Sequence, residues 1–124
     1  MRRKINCLVI AVACLFVIGV ASGTASAHGG LESSNPKDGS TAKTSLKNVS
    51  LSFAEPLRGG TIMVMSPSGA SVTVGKAKID SKNVKGLVVA LKKGLKPGAY
   101  MIHATSVTAD GHSQDWTLSF KLKK

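Results

Sequence analysis

Beyond residue 27 no segment sustains an amphipathic helical repeat over three turns; short stretches of alternating apolar and polar residues recur instead. Period-two alternation sends successive side chains to opposite faces of an extended chain, so these stretches read as half-buried strands. In VSLSF (49–53), Val49, Leu51 and Phe53 share one face while Ser50 and Ser52 face water. LESS (31–34) is a short first strand, ended by the turn formers of NPKDGS. TIMVM (61–65) leads through SPSG into ASVTV (70–74), and GLVVAL (86–91) follows a basic connector. Pro97-Gly98 predicts a type II turn before a strand from Tyr100 to Val107. WTLSFKL closes the chain with Trp116, Leu118 and Phe120 on one face. About seven strands at this spacing predict an all-β fold, a Greek-key β-sandwich or barrel. Tyr100, entering a strand after a turn, matches the corner tyrosine of immunoglobulin-like sandwiches.

The alternation begins only after a different kind of segment. MRRK precedes the apolar run INCLVIAVACLFVIGVASG and then TASAHGG. This is the order of a basic region, an apolar region and an A-x-A processing signal, with Ala25 and Ala27 as the small residues. The expectation is a signal peptide over 1–27, cleaved after Ala27, and one exported domain over 28–124 that begins at His28. The apolar run is also long enough to span a bilayer as an uncleaved anchor, but Gly23 and the small residues after it favour processing. The domain is expected in the periplasm or another extracytoplasmic compartment, soluble and monomeric.

Cleavage has two chemical consequences. Cys7 and Cys14 both leave with the leader, so the domain has no disulfide and must be held by a packed core, although its compartment would allow one. Any metal would have to use His, Met, carboxylate or backbone donors rather than thiolate. All 6 acids lie after Ala27, while three of the 17 basic residues, Arg2, Arg3 and Lys4, leave with the leader, so the domain stays strongly basic. The remaining bases are nearly all lysine, and the aromatics are Phe53, Tyr100, Trp116 and Phe120. That composition argues against a nucleic-acid partner, which would more often interleave arginine with aromatics. Lysines on strand faces and turns more often serve solubility and edge protection.

Three histidines follow the cleavage point: His28, His103 and His112. A chain that begins at His28 would offer a free α-amine and imidazole Nδ1, which together close a six-membered chelate ring. The amine has an ordinary pKa of roughly 8 and the imidazole roughly 6.5, so a strong Lewis acid can displace the remaining proton near neutral pH. TADGHSQDW (108–116) sets Asp110 and His112 around Gly111, adding one oxygen and one nitrogen. Nitrogen and oxygen donors in a tetragonal arrangement suit Cu(II). Asp-Gly is also a common β-turn signal, and a terminal histidine can be a frayed end that binds nothing. The residues alone leave both readings open.

Taken together, these stretches resemble the CopC family of exported copper-binding proteins. HGGLESSNPKDGS resembles the family's opening His followed by L-x-S-x-P-x-D-G; VSLSFAEPL resembles its L-x-F-S-E-P segment, with Ala54 in place of serine. LKPGAYMIHATSVTADGHSQDWTLSFKL resembles its P-G-x-Y strand, S-x-D-G-H loop and final F-x-F strand. The resemblance implies a small β-sandwich with one Cu(II) ion per chain, held by His28 through amine and imidazole and completed by Asp110 and His112. It implies a role in copper homeostasis or resistance, with a CopD-like membrane transporter as partner. Glu55 matches an acidic position near that site, and a surface acid beside Pro56 is the alternative.

Some members carry a Met-rich loop with a separate Cu(I) site, and this chain has nothing like it. Met63, Met65 and Met101 therefore read as core or surface packing, and His103 as a structural or solvent-facing residue. Gly30 stands where some members have a second histidine, and Ala104 and Trp116 replace a usual tryptophan and glycine. Two rival functions remain. A terminal histidine with a second histidine also describes the brace of copper oxygenases, but these need an open coordination position and a broad substrate surface. A structural or adhesive sandwich indifferent to copper is the other. The expectation is a binding module and not an enzyme.

Overall fold

The alternating stretches form eight strands in the computed structural model, which describes residues 30–124. They are β1 (Leu31–Asn35), β2 (Thr41–Lys43), β3 (Asn48–Phe53), β4 (Leu57–Met65), β5 (Thr73–Asp80), β6 (Asn83–Leu91), β7 (Gly98–Thr108) and β8 (Ser113–Lys123). Two four-stranded sheets result, ordered β1-β3-β6-β5 and β2-β8-β7-β4. Neighbours pair antiparallel except β2 and β8, which are parallel. The chain crosses between sheets at most connections, and only β5–β6 and β7–β8 are hairpins within a sheet. This is the expected all-β sandwich with crossed connectivity, and no helix occurs among the described residues.

The core lies where the two inner faces meet. Val49, Leu51 and Phe53 of β3 oppose Ile102 of β7 and Phe120 of β8, and all five are essentially inaccessible. Each such side chain contributes about 1.5–3 kcal/mol on burial, and with no cysteine among the described residues this is the main stabilising term. Tyr100 fulfils its corner role: its ring stacks on Phe120 with centroids 5.5 Å apart, and its hydroxyl donates to the Lys96 carbonyl four residues upstream (2.6 Å).

Three local expectations change. The strand expected at 70–74 starts instead at Thr73 and continues through the lysine-rich stretch read as a connector; Ser71 makes only an isolated bridge to Met65. Half-buried Ala77 and Ile79 alternate there with exposed Lys76 and Lys78. β5 is a sheet edge, so its lysines discourage further pairing while masking the alternation. β2 is only three residues long, too short to show a period. Gly98 does not adopt the φ near +80° of a type II turn. Its φ is 149°, it opens β7 opposite Leu122, and a Cβ there would stand 2.7 Å from Pro67 Cγ. Close approach, not turn geometry, explains that glycine.

Candidate metal centre

β7 and β8 pair in unbroken register from Gly98 opposite Leu122 to Val107 opposite Ser113. At the end of this ladder Thr108 N–H donates to the His112 carbonyl (2.9 Å), and Gly111 N–H donates to the Thr108 carbonyl (2.8 Å). Gly111 has φ 90°, which completes a three-residue hairpin loop of the kind that places a left-handed residue last. The polar turn and the candidate site are thus one structure.

The turn brings the two donors into contact. His112 Nδ1 lies 2.8 Å from Asp110 Oδ2, while Asp110 Oδ1 accepts from the Thr108 hydroxyl and from His112 N–H (3.3 Å). These bonds favour the ionised carboxylate, and its pKa falls from 3.8 to about 2, the Thr108 hydroxyl contributing most and His112 next. An ionised carboxylate only accepts, so His112 Nδ1 carries the hydrogen of this bond and Nε2 presents its lone pair outward when the ring is neutral. A carboxylate fixing one ring nitrogen so that the other can bind is a recurrent device of metal sites. Asp110 Oδ2 retains a second lone pair, so it can hold the ring and offer an oxygen. The pair is open to solvent: the side chains are 83% exposed for His112 and 57% for Asp110.

Among the described residues, no third carboxylate, imidazole or thiol joins them. His28 lies outside the described residues, but the chain next to it does not. Gly30 is buried, and its carbonyl accepts from Ala54 N–H (2.9 Å). The loop is tied to the same segment, since Ala109 N–H donates to the Pro56 carbonyl (2.9 Å). Residues 54–56, which link β3 to β4, therefore hold the start of β1 on one side and the candidate loop on the other. Glu55 sits between the two anchors, partly buried.

His103 is exposed on the outer face of its sheet, several residues from the loop. Asp115 is exposed but not idle; it accepts from the Thr105 hydroxyl across the ladder (2.7 Å). Sequence reasoning missed Arg58, whose guanidinium stands 3.8 Å from where a Cβ on Gly111 would lie. Its only sequence signal is that it is an arginine in a domain whose other bases are lysines.

Ala104 and Trp116, the two departures behind the loop, face each other across one rung of the β7–β8 ladder. The indole packs against Phe53 with centroids 5.8 Å apart, and its Nε1–H donates to the Oγ of buried Ser106 (2.9 Å).

A family model, the CopC domain, matches residues 31–123. The chain belongs to the CopC family. It is similar to the copper transport protein CutJ of Bacillus subtilis (strain 168), with 31% identity over 103 residues; the match covers 82% of this chain and 19% of that protein. The chain thus spans about a fifth of the length of that curated relative. Among solved structures, CopC from Methylosinus trichosporium OB3b superposes with a TM-score of 0.70 at 22% identity, covering 77% of this chain and 94% of that one. PcoC, a methionine-rich copper resistance protein from Escherichia coli, gives 0.64 at 24% identity, with coverages of 78% and 100%. At these identities the two structures establish the shared sandwich fold of this CopC domain.

Proposed function

We propose that this CopC-family chain is an exported Cu(II)-binding protein for copper homeostasis, which buffers the ion outside the cytoplasmic membrane or delivers it to a CopD-like transporter. In this reading residues 1–27 are a leader removed after Ala27, and residues 28–124 act as a monomer in the periplasm or an equivalent compartment. One Cu(II) is the cargo, bound by the amine and imidazole of His28, Asp110 oxygen and His112 nitrogen. The observation that carries the proposal is the shared anchorage on residues 54–56. Gly30 is bonded to Ala54 and Ala109 to Pro56, which supports a reading in which His28, two residues before Gly30 and with a reach of about 7 Å of backbone plus its side chain, meets the Asp110–His112 pair. Nitrogen and oxygen donors of this kind match Cu(II), the strongest binder in the divalent series.

Asp110 on the metal fills a position that oxygen chemistry would need, so the chain acts as a binding module and not an enzyme. Its copper relatives are consistent with carriage: one is named a copper transport protein and has a domain of this kind as a fifth of its length.

Intact mass first establishes whether His28 is residue one of the exported protein. Cu(II) is then titrated while following the fluorescence of Trp116, the single tryptophan, and electron paramagnetic resonance. The expected result is one equivalent bound, with nitrogen hyperfine structure. One residue added ahead of His28, or His112→Ala, weakens binding by more than about tenfold, which corresponds to about 1.4 kcal/mol. Unchanged affinity in the extended protein removes the amine from the site.

A further inference from the structure

The end of the sandwich opposite the candidate loop gathers lysines from three parts of the chain. β2 closes on Lys43, the β2–β3 connection carries Lys47, and the β6–β7 connection carries Lys92, Lys93 and Lys96. β8 finishes beside them through Lys121 and Lys123, and Lys124 follows. Backbone bonds join these pieces into one surface: Thr44 N–H donates to the Lys123 carbonyl (3.0 Å) and Leu91 N–H to the Lys47 carbonyl (2.9 Å). All eight lysines are exposed, and among the described residues none of them is ion-paired with a carboxylate. Lys92 Nζ donates to the Ser71 carbonyl (3.3 Å), which leaves its charge in place. The 6 acids lie elsewhere. Glu32, Glu55, Asp80, Asp110 and Asp115 are in the half of the molecule that holds the candidate loop. Asp38 accepts from Ser119 N–H (2.9 Å), and Ser119 pairs with Met101 partway along β7. One end of the domain therefore carries positive charge alone.

We propose that this basic pole docks the domain on the anionic headgroup layer of a lipid bilayer. Basic clusters of this size are drawn to such layers, each lysine at the surface strengthening binding by about fivefold. Lysine offers a mobile, strongly hydrated point charge, which suits a diffuse layer of phosphates, whereas ordered phosphates or carboxylates favour the arginine fork. The one arginine after the leader, Arg58, is at the other end, beside the strand that pairs with Thr108. Stacking on bases needs exposed aromatics, and Tyr100, the aromatic nearest this pole, is buried against Phe120. The apolar residues of the two connections, Leu46 and Leu95, pack on the core, so the contact is electrostatic and weakens with salt. β7 runs about 34 Å from Gly98 at this pole to Thr108, so a docked domain holds the Asp110–His112 loop on the side away from the bilayer. That the surface is an outer leaflet rests on the proposed export; the docking itself depends on the fold and not on copper.

Residues 28–124, whose sheets and core are complete without the leader, are sedimented in the metal-free state with vesicles of phosphatidylcholine alone or mixed with phosphatidylglycerol. Binding is expected only to the mixed vesicles, and it is expected to fall steeply as salt rises to the physiological level. Lys47→Glu/Lys93→Glu/Lys96→Glu is expected to weaken it more than about hundredfold. Lys78→Glu/Lys82→Glu/Lys85→Glu has the same net charge but changes lysines of β5, β6 and their hairpin, and it is expected to cost less than about tenfold. Circular dichroism in urea checks that both variants keep the parent's stability, and the Cu(II) titration of the first is expected to match the parent's. Spin-labelled lipid in the mixed vesicles is expected to broaden the amide signals of residues 44–47 and 92–97 in the parent while sparing 109–112. Equal losses in the two variants would reduce the effect to net charge and overturn the proposal, as would broadening centred on 109–112. Preference for polyglutamate or duplex DNA over the mixed vesicles would overturn it too, by assigning the pole to an acidic macromolecule.

Discussion

At the scale of single residues, the candidate loop depends on Thr108. It is 95% shielded from solvent, and its hydroxyl is the largest cause of the low Asp110 pKa. Because that pKa is lower in the folded chain, the carboxylate's stabilising effect is present above its ordinary value of 3.8 and is lost as the pH falls through about 2. Thr108→Val removes the donor at nearly constant shape. Asp110 is then expected to titrate closer to 3.8, read from its carboxyl carbon shift by nuclear magnetic resonance, and a midpoint still near 2 would assign the effect to His112 alone. Gly111 is constrained differently. Its φ is 90°, yet an added Cβ would make only ordinary contacts with Arg58, so Gly111→Ala meets backbone strain and not a clash. The expected loss is about 1–2 kcal/mol by chemical denaturation, and Gly111→Asn should lose less, since asparagine tolerates the left-handed region.

At the scale of elements, the β7–β8 hairpin carries the corner tyrosine, the Ala104–Trp116 rung and the candidate loop. Where the family resemblance sets tryptophan at 104 and glycine at 116, this chain has Ala104 and Trp116 on the same rung. Trp116→Phe keeps an aromatic ring against Phe53 but leaves the buried Ser106 hydroxyl without its donor. The expected cost is about 1–3 kcal/mol, measured by circular dichroism in urea, and a neutral outcome would mean that water replaces the indole. The strands most legible in the sequence are those with one clean apolar face, such as Val49-Leu51-Phe53 and Trp116-Leu118-Phe120. β5 was hidden because Lys76 and Lys78 serve an edge and dilute the apolar signal, and β2 because it has three residues. Asp110 and His112 were legible as a pair because a tight turn joins them locally. The contacts of Thr108, Pro56 and Arg58 were not, since each exists only after the strands pair.

At the scale of the whole molecule, the proposed Cu(II) site would act as a clasp. β1 is an edge of one sheet, and the β7–β8 hairpin lies in the middle of the other. Residues 54–56 form the crossover between sheets that holds both, through Ala54 to Gly30 and through Pro56 to Ala109. An ion bound by His28 on one side and by Asp110 and His112 on the other would link the two sheets at this end, in a domain with no cysteine after Cys14. A ligand that binds only the folded state stabilises it by about 2.7 kcal/mol when its free concentration is a hundred times Kd. For a domain of this size that corresponds to a rise of about 10–20 °C in unfolding midpoint. Calorimetry of the processed protein with and without Cu(II) is expected to show that rise, and the protein with one residue added before His28 is expected to show little of it. A Cu(II)-induced rise equal in both proteins would mean that the ion is held without the terminal amine, and the clasp between sheets would have to be abandoned.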